Sequence, residues 1–238
     1  MKRVLHFTIC SALLFTAGLV PAFAGEVIDG VVASVNRHPI LRSEWEEAAN
    51  FEAFMQQKPA SQITQADRAL ALQHLIDRQL LIAQMGNANA MEPSDASLQQ
   101  DLAKLRAQLP KGNNEPDWQR LLARYGLTED MVKQHLRDQF QVMNFIEVRL
   151  RPNVHVNDDE VAAYYHNQLI PDLQKNSGTV VPLDEVKSRI HELLTQQHID
   201  ELLDAWLHNL RQQAEIHSRV AFPAGHAPEE GAMVFGGN

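Results

Sequence analysis

Apolar residues change their spacing once along this chain, near its start. Val27-Ile28-Asp29-Gly30-Val31-Val32-Ala33-Ser34-Val35 is mostly β-branched and predicts a strand. Asn36-Arg37-His38 predicts a turn, and Pro39-Ile40-Leu41 a short returning edge strand, where a proline is tolerated. From Ser43 onward apolar positions recur every three or four residues, the period of a helix. Ser43 with Glu46 predicts a capping box ahead of Trp45, Ala48, Phe51 and Met55. Thr64 with Asp67 opens a second helix carrying Ala69, Leu72, Leu75, Ile76, Leu80 and Ala83, joined by Leu70, Leu81 and Ile82. So much of that circumference is apolar that the helix is expected at the centre of the fold.

Ser94 caps a third helix with Leu98, Leu102, Leu105 and Leu109 on one stripe, closed by Pro110 and Gly112. A short element around Trp118, Leu121 and Leu122 stops at Gly126. Thr128, with Glu129 and Asp130 in the first turn and Leu127 placed to staple onto Val132, begins a long helix whose stripe runs Val132, Leu136, Phe140, Met143, Ile146 and Leu150. Pro152 ends it. Asn157 with Glu160 caps another helix bearing Val161, Tyr164 and Tyr165, and the segment Pro171 to Pro182 reads as a linker or tight turn. A last helix runs from about Asp184 to about Glu215. Val186, Ile190, Leu193 and Leu194 fall on one of its faces, and Ile199, Leu202, Leu203, Trp206, Leu207 and Leu210 on the roughly opposite one, with Thr195-Gln196-Gln197-His198 between them. Two faces predict two packing partners or a kink. From Ala221 to Asn238 the chain is rich in glycine and proline without periodicity, and disorder is expected there.

The first 24 residues have a separate meaning. Lys2 and Arg3, an apolar run from Ile9 to Val20, and the triplet Ala22-Phe23-Ala24 make a secretory signal peptide expected to be cut after Ala24. The run is short for a bilayer span, and no later stretch approaches one. Cys10, the sole cysteine, follows Phe7-Thr8-Ile9, which is no lipobox, so the exported chain lacks thiols and stands by packing alone. Losing the leader removes two of the 21 basic residues and none of the 30 acidic ones, which takes the formal charge from −9 to −11. Such a surface repels phosphate backbones and anionic headgroups, so nucleic acid and membrane binding are disfavoured.

Chemistry is sparse. His191-Glu192 and His198 resemble a zinc helix, but the histidines stand seven apart instead of four and no third ligand is specified. No serine sits in a Gly-x-Ser-x-Gly elbow, and Gly86 and Gly112 are isolated helix stops without a phosphate loop. Carboxylate pairs such as Glu46-Glu47 and Asp158-Asp159-Glu160 lie at helix starts, where the dipole favours them. No catalytic residue, metal or cofactor is expected. Met55, Met85, Met91, Met131 and Met143 supply flexible thioethers of the kind that suit adaptable surfaces.

The order of these elements resembles the SurA family of periplasmic chaperones. Val27 to Ser43 (VIDGVVASVNRHPILRS) is similar to its opening hairpin, Leu75-Ile76-Asp77-Arg78-Gln79-Leu80-Leu81 to its central helix, Val154 to Tyr165 (VHVNDDEVAAYY) to the segment leading out of the N-terminal domain, and Pro182 to Val220 to its C-terminal helix and final strand. A parvulin prolyl isomerase domain usually separates the last two stretches, and about a dozen residues join them here. The resemblance implies a mainly α fold: a helical bundle with a small β-hairpin or sheet over residues 25–170, a linker at 171–182, and a long helix and short strand at 183–220 that return to the bundle. It implies an ATP-independent holdase in the periplasm, with no isomerase activity, gripping unfolded or nascent exported polypeptides in an apolar groove. Met55, Met85, Phe140, Met143, Tyr164 and Trp206 are the candidate client contacts. A dedicated assembly subunit is the alternative reading and a prolyl isomerase the third; a homodimer is left open.

Overall fold

The computed structural model describes residues 29–86, 91–110, 112–176 and 179–220, so the expected leader and tail lie outside the described residues. Strands β1 (Val31–Val35) and β2 (His38–Leu41) form a hairpin whose two turn residues, Asn36 and Arg37, both take positive φ, the geometry that matches the twist of paired strands. Strand β3 (Ile216–Ser218) adds antiparallel to the free side of β1, giving the order β2-β1-β3 and leaving Pro39 on an edge.

β2 runs straight into helix α1 (Arg42–Met55), which overturns one expectation. Ser43 lies inside the helix and is not its cap; its backbone N–H and its hydroxyl donate instead to the carboxylate of Asp29. The hairpin returns the chain to Asp29, so an anion from the strand's approach meets the helix N-terminus. Those bonds draw the Asp29 carboxyl below its ordinary value.

Helix α2 (Gln65–Met85) begins with the expected capping box of Thr64 and Asp67 and stands at the centre, against α1, β1, a fifth helix and an eighth. Leu70, Ile82 and Ala83 point outward, so its apolar surface exceeds what the core absorbs. Helices α3 (Asp95–Gln108), α4 (Glu115–Arg124) and α5 (Glu129–Leu150) follow, capped by Ser94, Asn114 and Thr128. α4 stops where Gly126 takes φ 67°, a backbone state that glycine adopts without strain.

Three cores result. The first joins the sheet, α2, the N-terminal half of α1, the C-terminal half of α5 and the eighth helix. The second holds the end of α1, α3, α4 and the start of α5, centred on Trp118, which is fully buried with Phe54 and Tyr125 edge-on to each other at 5.6 Å. Because α5 serves both cores, its buried face turns: Val132 is buried at one end, and Val142, Phe145, Ile146 and Leu150 at the other. Ten residues at 100° each rotate Val142 by about 80° from Val132. The single stripe expected through Phe140 and Met143 is thereby corrected: Phe140 is half-buried and Met143 exposed.

The third core lies between α6 (Asp158–Tyr164) and the first half of α8 (Leu183–Gln213). α6 continues through a wide π turn (Tyr165–Leu169) into α7 (Ile170–Lys175). Pro171 has no N–H for regular helix bonding and its ring would strike the carbonyl four residues back, and the widened turn just before it relieves that clash. The expected linker therefore starts later than Pro171, and residues 176–182 alone connect α7 to α8. α8 has two partners as its two faces predicted, with Ile190 in the third core and Ile199, Leu203, Leu207 and Leu210 in the first. The polar divide between them is partly buried: Thr195 donates its hydroxyl to the His191 carbonyl at 2.8 Å.

Candidate functional site

A trough runs between α2 and α5 and reaches α1. It comprises two half-open hollows that share Arg78 and Asp138. The first, about 140 Å³, is walled by Ile82, Met85, Val142 and Gln141. The second, about 240 Å³, is lined by Ser43, Glu44, Glu47, Leu75, Gln134 and His135. Successive turns of helix bring these residues together. Leu75, Arg78, Ile82 and Met85 stand three or four apart on α2, as do Gln134, Asp138 and Val142 on α5, so each set shares a face.

The boundary between the hollows is ionic. Arg78 Nη2 donates to Asp138 Oδ2 at 2.5 Å, and Gln134 Nε2 donates to the other oxygen, Oδ1, at 2.8 Å. Arg78 Nε is buried with no hydrogen-bond partner, so the guanidinium holds its carboxylate by one nitrogen only. His135 lies 3.0 Å from Glu47 and its ring stacks on Phe51 with centroids 4.0 Å apart. Burial lowers the His135 pKa and outweighs the attraction of Glu47, so the imidazole is neutral at pH 7 and the second hollow carries three carboxylates against one guanidinium.

The six residues singled out from the sequence do not converge. Met85 alone enters the trough, and it is 6% exposed, a wall more than a contact surface. Met55, at the end of α1, is 42% exposed but lies where that helix has turned Ala53 and Phe54 into the second core. Tyr164 packs half-buried against the third core. Trp206 packs beside Phe145 at 5.8 Å, with the Arg149 guanidinium 5.7 Å from its ring. Exposed apolar side chains are spread over α1, α2, α5, α8 and the connecting segments, Val148 and Met91 being the most open. Ile82, 39% exposed in the trough wall, was readable as one of the surplus apolar positions of α2. Arg78, Asp138 and His135 gave no such signal, because only the fold brings α2 and α5 side by side.

The trough supplies apolar walls, hydrogen-bonding groups and charge, and the hydroxyl in its lining, that of Ser43, donates to the Asp29 carboxylate at the start of α1. Among the described residues no three histidines, cysteines or carboxylates gather as a metal site, and no helix is long and apolar enough to cross a membrane. Residues 1–146 match the family model of the SurA-like N-terminal domain. No curated protein matches the chain.

Proposed function

This chain belongs to the SurA-like N-terminal domain family, and from that premise we propose that it is an ATP-independent periplasmic holdase that binds unfolded outer-membrane or other exported polypeptides in the α2–α5 trough. The observation that carries this reading is Ile82: a large apolar side chain left open in the wall of a concave, half-polar surface on the matched domain. Each hollow has room for about one side chain. Burying an aromatic side chain removes roughly 150–250 Å² from water, about 4–6 kcal/mol at 25 cal/mol per Å² before the costs of ordering the client. One such contact is weak and reversible, which suits a protein that must release its clients without a nucleotide. The seven-residue span 176–182 leaves no space for an isomerase domain between α7 and α8, which supports retention over proline isomerisation.

The test is dilution of a denatured outer-membrane protein into buffer with the leader-free chain, followed by light scattering. Suppression of aggregation near equimolar ratio supports the reading, and none at several-fold excess overturns it. Export is tested by cell fractionation with N-terminal sequencing: the periplasmic species begins at Gly25, and an intact Met1 in the cytoplasm contradicts it.

A further inference from the structure

The two hollows differ in chemistry, and the difference specifies what kind of segment they accept. We propose that the trough is a two-part peptide site, in which the hollow of Ile82, Met85 and Val142 takes an apolar side chain and the hollow of Glu44, Glu47 and Asp138 takes a lysine or arginine of the same extended segment. This rests on the holdase reading and names its client class.

Three observations carry it. The first is charge. Three carboxylates line the second hollow, while its one cation, Arg78, is already held by Asp138. An ionised carboxylate has about four acceptor sites. Glu47 has given one contact to His135, and Asp138 one each to Arg78 and Gln134, so acceptors remain for an incoming ammonium or guanidinium. The second is placement. The lining residues of the two hollows are centred about five residues apart on both α5 and α2, which at 1.5 Å per residue offsets the hollows by roughly 7–8 Å along those helices. Side chains two apart on one face of an extended chain are about 6.6–6.8 Å from each other. The third is the whole-chain charge of −9, which attracts basic segments before contact and repels acidic ones.

The test uses fluorescein-labelled extended peptides that differ at one position, Phe-x-Lys, Phe-x-Ser and Phe-x-Glu, titrated with the leader-free chain by fluorescence anisotropy. Phe-x-Lys is expected to bind about three- to tenfold more tightly than Phe-x-Ser, and Phe-x-Glu more weakly than both. Glu44→Gln with Glu47→Gln brings the ratio of Lys to Ser affinity toward one. Glu46→Gln, exposed on the same helix outside the trough, keeps the lysine advantage. Circular dichroism verifies folding, and Glu44→Gln alone, at an exposed position, gives a partial loss should the double variant be unstable. About 0.5 M salt erases most of the advantage. Equal affinity for Lys and Ser peptides, or loss of the preference in Glu46→Gln, overturns the proposal. If aggregation is suppressed and the lysine preference is absent, the two-part site falls and the holdase reading stands; if neither is seen, both fall.

Discussion

Replacing Arg211 by methionine tests how the C-terminal helix is held to the bundle. Asp77, at the centre of α2, has a side chain only 6% exposed. Arg211, in the last turn of α8, grips it with two nitrogens: Nε donates to Oδ1 at 2.7 Å, and Nη2 to Oδ2. Burial pushes the Asp77 carboxyl above its ordinary range even with Arg211 opposing the shift. Removing the guanidinium leaves a buried carboxylate unpaired, a loss of about 3–5 kcal/mol. In the variant the folded-state pKa rises further, so the folded protein binds the proton more readily than the unfolded one and stability falls as pH rises through that range. The penalty is therefore larger at pH 8 than at pH 5, and as Asp77 takes up its proton it shrinks toward about 1–3 kcal/mol, the cost of the missing hydrogen bonds. For a chain of this size 1 kcal/mol moves Tm by about 2–4 °C, so the pH 8 loss is roughly 6–20 °C. Urea titrations by far-ultraviolet circular dichroism at both pH values, beside the unsubstituted chain, measure the difference. A loss below about 1 kcal/mol at pH 8, or the same loss at both pH values, refutes the reasoning. The double substitution Asp77→Leu with Arg211→Met removes both charges and is expected to recover most of the stability.

Two further outcomes follow from the packing. Trp118→Ala empties the middle of the second core and strips Glu129 of the indole N–H that donates to it at 2.8 Å; a loss of about 3–5 kcal/mol is expected, with amide exchange rising in α3 and α4 before the first core. Uniform exchange across both cores would contradict that order. His74 and His135 are expected to titrate on opposite sides of 6.5 by NMR. The bond to Glu52 raises His74 and burial lowers His135. The stability supplied by His74 is complete below 6.5 and fades as pH rises through its folded value. For His135 the unfolded chain takes up the proton first, so stability falls as pH drops below 6.5. Coincident titrations would refute this assignment.

Local chemistry was legible in the sequence, and long-range pairing was not. The caps at Thr64, Ser94, Thr128 and Asn157 are set by residues three apart, and all four form. Ser43 has the same local pattern and fails, because the hairpin, a feature 14 residues wide, supplies Asp29 instead. The two faces of α8 announced two partners correctly, since a change of face within one helix needs a change of neighbour. The turn in the buried face of α5 was missed, because Val132, Leu136, Phe140 and Met143 form a plausible stripe on their own and only the second core shows where it breaks. The return of β3 to β1 came from the family resemblance and stands in the structure. The trough itself was not legible. Methionines and aromatics were chosen for side-chain character, whereas Arg78 and Asp138 meet across 60 residues, and nothing in either segment alone marks them.

The central claim is that unfolded chains lie in the α2–α5 trough, and photocross-linking tests it most directly. A benzophenone residue is placed at position 82 in the trough wall, or at position 193 on α8, whose leucine is similarly exposed. Each variant is irradiated with an unfolded outer-membrane protein. Strong adducts from position 82 with few from position 193 are predicted; equal adducts from both, or adducts from position 193 alone, would contradict the account.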